Sequence, residues 1–539
     1  MADIELGRPA DLPGLSQAGD LPRLSSAKST SLKATRSLPG GRPAEDQTAG
    51  ESSEKDVEKA DSSEDSEDVV DENLVTWDGP DDPTNPRNWS SSRKWMITFV
   101  TSCFTFISPV SSSMLSPALP AISKDLGIES STVELMVVSI FVLGYAIGPL
   151  LMGPLSEVYG RKLILRYSNL VYLIFNTACG FCRTGPEIIA FRFLGGLAGS
   201  APLAVGGGLL SDVWTNEERG KALGTYTLMP LLGPAIGPIA AGFIVQYSDW
   251  RWCFYSVSIA GCFVQLLAQF FLWETSHRAI LRQKQQKIQK ATGNDLLHTK
   301  WDQTDETVGS KLRVALIRPF RLLATQPIVQ FLGLYMAFLF GLIYLVLSTF
   351  PRLWSAVYHE RVDIGGLNYV SAGLGFFIAS QINSRFQDRL YLKLTERAGG
   401  DGVPEYRIPF MVPAAVLVPI GIFIYAWTSE YATHWIGPNI GIFLLSGGMI
   451  VCNQCMQIYI VQTYTHYAAS ALAAVAVLRC TAAFTFPLFA TQMYDSLGYG
   501  WGNSLLGFIA IGIGWPAVVI FWKYGKTLRE KSPYAAVSS

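Results

Sequence analysis

The sequence predicts an all-α integral membrane protein, with twelve membrane-crossing helices set as two six-helix bundles. Three observations carry this prediction. Apolar residues make up 49% of the chain and charged residues only 16%, too few to solvate a soluble body of 539 residues. The charges are also confined, most of them lying before Arg93, between Glu274 and Arg321, and after Lys523. Between these zones the apolar runs each approach the roughly 20 residues that an α-helix needs to cross a bilayer. They fall six on either side of a polar stretch.

Taken in order, residues 1–85 are rich in Ser, Asp, Glu, Gly and Pro and nearly lack aromatics, so they cannot bury enough surface to offset the entropy of ordering. They read as a disordered tail. Its acidic run, Asp61 to Asp68, is either a solvated charge run or a phosphorylation target. Trp77, Trp89 and Trp95, with Arg93 and Lys94, make an approach to the first span that suits an interfacial anchor. Six spans are expected at 95–117, 134–153, 163–183, 187–210, 221–246 and 252–273, and six more at 327–350, 366–386, 409–428, 435–459, 470–494 and 503–523. The chain then divides into the tail 1–85, a bundle 86–273, a central loop 274–325, a second bundle 326–523 and a C-terminal tail 524–539.

Lysine and arginine set the orientation. They gather in the N-terminal tail, in 154–162, at Arg219 and Lys221, through the central loop, in 385–407 and after residue 523, whereas the alternate loops hold isolated cations only. Both termini are therefore expected in the cytoplasm, which with the plasma membrane is the expected setting. The sequon Asn88-Trp89-Ser90 would then carry no glycan.

Composition also excludes classes. A net charge of −1 with no basic stripe interleaved with aromatics gives no nucleic-acid partner. No H-E-x-x-H, G-x-S-x-G or G-x-x-x-x-G-K-[ST] pattern occurs, so a metalloprotease, a serine hydrolase and a nucleotide-driven pump are unsupported and no enzyme is expected. The eight cysteines all lie in apolar runs, where a thiol acts as a small hydrophobe. The C-x-x-C pairs at Cys179 and Cys452 have no histidine near enough in sequence to complete a metal site. No metal and no cofactor are expected.

The stretch Gly153-Pro154-Leu155-Ser156-Glu157-Val158-Tyr159-Gly160-Arg161-Lys162 sits between the second and third spans. Its glycines allow tight backbone geometry, Glu157 brings a carboxylate, and Arg161 with Lys162 hold the loop on the cytoplasmic side. It resembles the signature G-x-L-[SA]-[DE]-x-[YF]-G-R-[RK] between spans two and three of the major facilitator superfamily. A weaker second copy stands at 381–390, with Arg385, Asp388 and Arg389 but without the glycines. In the fourth span, Arg192-Phe193-Leu194-Gly195-Gly196 resembles the R-x-x-x-G motif of the superfamily's proton-coupled members, which implies a cavity-facing guanidinium. The other reading of Arg192 is a structural arginine that pins neighbouring helices. Asp212, at the end of that span, either exchanges a proton with the cavity or caps and latches the loop beside Arg219 and the hinge cations.

In the fifth span, Gly233, Pro234, Gly237 and Pro238 resemble the G-P-x-x-G motif of drug:proton antiporters, although Met229 and Ala241 depart from it. Prolines and glycines there favour a kinked, closely packed helix able to pivot. Later stretches, among them Tyr467 to Ala471, Leu478-Arg479 and Phe486 to Phe489, look like the fungal twelve-span drug:proton antiporter group. The resemblance implies the major facilitator fold and a secondary active transporter that exports a metabolite, organic acid or drug in exchange for protons, acting as a monomer in the bilayer. A facilitator or importer is the alternative, and a transporter-like receptor a more remote one.

Expected cavity residues in the second half are Gln330, Tyr335, Tyr344, Asn383, Asn453, Gln454, Gln457, Tyr459, Gln462 and Arg479. Arg192 and Arg479 put two cations and few carboxylates inside the membrane, a balance that suits an anionic cargo. The first span holds no Asp or Glu. Protonation candidates are therefore Asp212 and Glu134, then His434, His466 and Asp495, all near span ends.

Overall fold

The computed structural model describes residues 71–535 except 72, 216–217, 303–307 and 401. The expected tail up to residue 70, with its acidic run, lies outside the described residues. Apart from one isolated bridge between Leu74 and His298, regular structure among the described residues is helical. Ten helical segments are long and apolar enough to cross a membrane, and two features bring that to the expected twelve.

Arg161–Cys179 falls short in apolarity because Arg161, Lys162 and Arg166 crowd its first turns while Ser168, Asn169 and Asn176 lie on its buried face. Its outer face of Tyr167, Leu170, Val171 and Ile174 is nevertheless exposed and apolar. Ala468–Glu530 runs for 63 residues, which as one helix would measure ~95 Å against a hydrocarbon core of roughly 30 Å. Gly498, at φ 70° and ψ 176°, divides it into two spans.

We number the spans α1 (Ser91–Ser113), α2 (Ser131–Tyr159), α3 (Arg161–Cys179), α4 (Gly185–Val213, interrupted at Ser200), α5 (Arg219–Tyr247) and α6 (Arg251–Phe271). The second half has α7 (Pro327–Arg352), α8 (Tyr369–Arg397), α9 (Met411–Glu430), α10 (Ile436–Thr463), α11 (468–497) and α12 (499–530). Helix α1 ends short of the expected residue 117 because Pro117 has no N–H to give the Ser113 carbonyl, which takes the Ser116 N–H instead. Helix α12 runs on to Glu530, beyond the expected 523. The central loop is largely helical, at His277–Thr292 and Val308–Thr325.

Polarity is turned outside in, as a bilayer requires. On α6, Ile259, Phe263, Leu266 and Phe270 form one exposed stripe at helical spacing, whereas α1 buries Thr98, Thr101, Ser102, Thr105, Ser108, Ser111 and Ser112. Several of those hydroxyls donate back to their own helix, Thr98 to the Lys94 carbonyl at 2.9 Å and Ser102 to the Thr98 carbonyl at 2.7 Å. Buried polarity is thereby satisfied within the span.

Packing repeats with an offset of six spans. In the first half α1 packs on α5, α2 on α4, and α3 on α4 and α6; in the second, α7 packs on α11, α8 on α10, and α9 on α10 and α12. Across the seam α5 meets α8 and α2 meets α11, a pair of contacts related by the same offset. Small residues permit the closest crossings. A Cβ on Gly196 would lie 2.1 Å from the Phe141 carbonyl oxygen, and one on Gly144 would lie 2.5 Å from the Leu197 nitrogen, so α2 and α4 touch backbone to backbone.

Candidate functional site

Four places carry the chemistry-bearing side chains: the hinge, a strap beneath it, the seam between the halves, and the end of the seam opposite the hinge. At the hinge, Gly160 adopts φ 99°, a conformation L side chains rarely take, and α3 starts at the next residue. Its first two N–H groups, Arg161 and Lys162, have no partner within the helix. The Glu274 carboxylate accepts both, at 2.8 and 3.2 Å, together with the Thr275 and Ser276 N–H groups at 3.0 and 2.9 Å. A Cβ on Gly160 would lie 2.4 Å from Glu274 Oε2, so the glycine makes room for the carboxylate.

Arg161 turns the other way, its Nη1 donating to Ser156 Oγ at 2.6 Å and its Nε lying 3.3 Å from Asp212 Oδ2. Asp212 is thus at the hinge, paired to Arg161, and its carbonyl faces His277 Nε2 at 3.1 Å. Glu157, the carboxylate of the hinge motif, is exposed, and Gly153 has open space where a side chain would go.

Residues 73–89 form a strap against the central loop. Val75 N–H donates to the His298 carbonyl at 2.8 Å and His298 N–H to the Asn73 carbonyl at 2.9 Å. Lys284 Nζ reaches Asp78 at 2.6 Å and the Thr76 carbonyl at 2.9 Å. Trp77 packs edge-on against His277, and Arg93 lies between Trp89 and Trp273. Asp82 accepts the Thr84 hydroxyl at 2.6 Å and the Asp78 N–H at 3.0 Å. Those bonds hold its carboxyl below the usual carboxylate range. Asn88 Nδ2 donates to the Pro80 and Asp82 carbonyls, so the sequon amide is already engaged.

At the seam, Val142 and Ala146 of α2 meet Cys480 and Ala483 of α11, with Phe340 and Tyr344 of α7 packed against them. Tyr145 is hydrogen-bonded to Ser108 of α1. Arg192 is 1% exposed and its guanidinium donates to Val137 O at 3.3 Å, Ser111 O at 3.1 Å and Ser112 O at 3.3 Å, over the Phe141 ring. Ser111 and Ser112 belong to the last turn of α1, where carbonyls lack intrahelical donors and the helix dipole is negative. Arg192 therefore caps α1 from α4. Arg479 lies over Phe340 at 4.8 Å, with its Nε buried and without an acceptor. Tyr344 is close to both arginines and to Ser112.

At the far end, Arg361 Nη2 donates to Tyr247 OH at 3.1 Å and lies 2.9 Å from Asp363 Oδ2, which also accepts from Tyr247 at 3.3 Å. This joins α5 of one half to the Val362–Leu367 helix of the other. Beneath it, Gly366 packs on the Pro238 carbonyl and on Gly242, and Gly373 on Ala235. Helix α5 continues through Pro230, Pro234 and Pro238. On another face, Cβ atoms on Gly233 and Gly237 would come within 2.6 Å of Pro109 and 2.5 Å of Ser113, so these glycines seat α5 on α1.

Of the expected second-half cavity residues, Tyr344 and Arg479 reach the seam. Asn383 and Gln454 bond to each other at 2.8 Å, and Gln454 to Ser380, joining α8 to α10. Tyr335 lies inside the second bundle near Cys452, and Tyr459 stacks edge-on against Phe521. Asn453 is buried with its Oδ1 unpartnered, as is the Gln462 Oε1; Gln457 is half-buried. Gln330 is exposed and bonds the Ala324 carbonyl. Glu134 lies at the far end beside Ser123, near Arg352, which pairs with Asp495 at 2.7 Å.

Sequence reasoning missed Glu274, Tyr247, Asp363, Phe340 and Tyr145. Glu274 stands 113 positions from Arg161 and no local pattern links them, although Ser276 reads as a helix N-cap and does accept the Ala279 N–H.

Residues 101–487 match the Major Facilitator Superfamily. Over 466 residues the chain is 51% identical to the efflux pump vrtL of Penicillium aethiopicum, covering 86% of this chain and 92% of that one. It is 40% identical over 465 residues to the efflux pump radE of Floropilus chiversii, covering 86% of each. The partially occluded inward-open xylose transporter XylE of E. coli superposes with a TM-score of 0.57 over 80% of this chain and 99% of that one, at 16% identity, a likeness of fold. The offset of six spans in the packing and these matches agree: the chain belongs to the Major Facilitator Superfamily.

Proposed function

We propose that the protein is a secondary active exporter of a small organic molecule, working by alternating access in exchange for protons at the plasma membrane, with both termini in the cytoplasm. The observation that carries the alternating-access reading is the asymmetry of the two ends. At the far end the halves are zipped by Tyr247, Arg361 and Asp363 over a glycine-lined crossing. At the hinge end Glu157 is exposed, and among the described residues no ion pair joins the halves. A polar lock across the halves at one end, with no ion pair across them at the other, is the asymmetry a carrier facing the cytoplasm requires. The export direction draws on the relatives named efflux pumps. The cytoplasmic placement of the hinge draws on its cations.

The test is flux in proteoliposomes of known orientation, with a panel of organic acids and apolar metabolites, with and without a pH gradient. Export against a cargo gradient, driven by protons moving the other way, is the expected result. Equilibration that ignores the pH gradient would replace exchange with facilitated diffusion. A glycan on Asn88 would reverse the orientation.

A further inference from the structure

Arg479 is placed where a cation needs a partner and has none of the ordinary kind. It lies on α11 eleven residues beyond Ala468, which at 1.5 Å per residue is ~16 Å along the span from its start. A guanidinium offers five N–H donors and cannot be deprotonated to relieve its cost. Among the described residues the Arg479 head meets its neighbour Cys480, the Phe340 ring at 4.8 Å and the nearby Tyr344, and its buried Nε meets no acceptor.

Arg192 has a different status, because the end of α1 already takes up its donors. Its charge remains as a fixed positive potential near Tyr344. Apart from Asp388, which is already paired with Arg407, the carboxylates of the spans stand near their ends, at Glu134, Glu157, Glu187, Asp212, Glu396, Glu430, Asp495 and Glu530, and among the described residues none of them pairs with Arg479. Aromatic surface is plentiful there. Phe340 underlies the guanidinium, Tyr344 and Tyr145 flank the seam, and Phe338, Phe486 and Phe489 continue the ring cluster along α7 and α11.

We infer that Arg479 docks the carboxylate of an aromatic organic acid, whose ring packs on Phe340 and Tyr344, and that this acid class is the exported cargo. The inference rests on the export reading for direction and on the seam for chemistry. A carboxylate matches the guanidinium fork with two charge-assisted hydrogen bonds, and a planar ring replaces the lost hydration with stacking. A cationic cargo would meet two like charges and no counter-ion. Arg479 then tells the loaded carrier from the empty one, since its charge is neutralised only when the acid is aboard.

The experiment uses the full chain in lipid nanodiscs and a matched probe pair, 2-naphthoate and its neutral amide, followed by intrinsic tryptophan fluorescence without any gradient. Wild type should bind the carboxylate about ten- to hundredfold more tightly than the amide, the worth of charge-assisted hydrogen bonding. R479Q should remove that preference, and R479K should keep part of it. F340L should weaken both probes alike. If R479Q does not fold, R479K and F340L carry the test, because both must still shift the pattern as stated. Equal affinity for the two probes in wild type, no saturable naphthoate binding, or an unchanged preference in R479Q or R479K would overturn the inference. The export reading is separable: naphthoate that binds through Arg479 but moves only inward defeats export and leaves the site, whereas export of uncharged cargo alone defeats the site and leaves export.

Discussion

Removing the Glu274 carboxylate should loosen the hinge without touching the seam. In the Glu274→Ala protein, four backbone N–H groups lose their acceptor, those of Arg161, Lys162, Thr275 and Ser276. Arg161 and Lys162 open α3, so the loss compares with deletion of an N-cap, about 1 kcal/mol and up to about 2. An anion at a helix N-terminus adds roughly 0.3–1 kcal/mol. The total of ~1–3 kcal/mol corresponds, at about 2–4 °C per kcal/mol for a body of some 150–250 residues, to a drop of roughly 2–12 °C in unfolding temperature. Glu274→Gln keeps one carbonyl acceptor and loses the charge, so about half the drop is expected. Unfolding in detergent or nanodiscs, followed by intrinsic fluorescence, reads the effect. Export should fall alongside, because Arg161 and Lys162 are set by the same clamp. An unfolding temperature for Glu274→Ala within about 1 °C of wild type would refute the clamp, since a helix start stripped of its cap cannot be that cheap.

Other consequences follow from the same geometry. Arg161→Ala and Asp212→Asn should be non-additive, the double variant exporting no worse than the weaker single, because the two side chains share one partly buried pair; additive losses would separate them. Gly237→Ala must push α5 off α1, where its Cβ would meet Ser113 Oγ and the Val110 carbonyl. Overpacking of about 1–3 kcal/mol and stalled export are expected, and wild-type rates would contradict the seating of α5 on α1. Arg192→Lys keeps the charge but cannot fork to the Ser111 and Ser112 carbonyls, so α1 should fray at its end and thermal stability should fall even before export is measured. The strap should loosen in acid. Asp82 has its pKa lowered, so its contribution is present above the ordinary carboxylate value and is lost as pH falls through the lowered one. Hydrogen exchange at residues 73–89 should therefore accelerate only below the usual carboxylate range, and acceleration near neutral pH would point to another group.

The hinge and the seam were legible in the sequence to very different degrees. Gly160 could be read because a positive φ leaves few residue choices, and the Arg161–Asp212 pairing was one of two open roles for Asp212. The carboxylate that fills the space over Gly160 was not legible, because Glu274 arrives from the far side of α6. Among the amides and phenols of the second half, burial looks alike in sequence whether a side chain faces the seam or a sister helix. Asn383 and Gln454 turn out to satisfy each other, whereas Tyr344 and Arg479 face the other half. Arg192 shows the same limit: its motif predicts a cavity arginine, and only folding brings the bare carbonyls at the end of α1 to its fork.

What the sequence determined by itself was the membrane class, the two sets of six spans, the family resemblance and the residues with special backbone needs, since these depend on run length, composition and local sterics. The tertiary structure alone decided which charges pair, which glycines serve as crossings between helices, and which end of the seam carries the polar lock. Those depend on the approach of segments more than a hundred residues apart, such as Glu274 on Arg161 and Tyr247 on Asp363. No local pattern carries that distance.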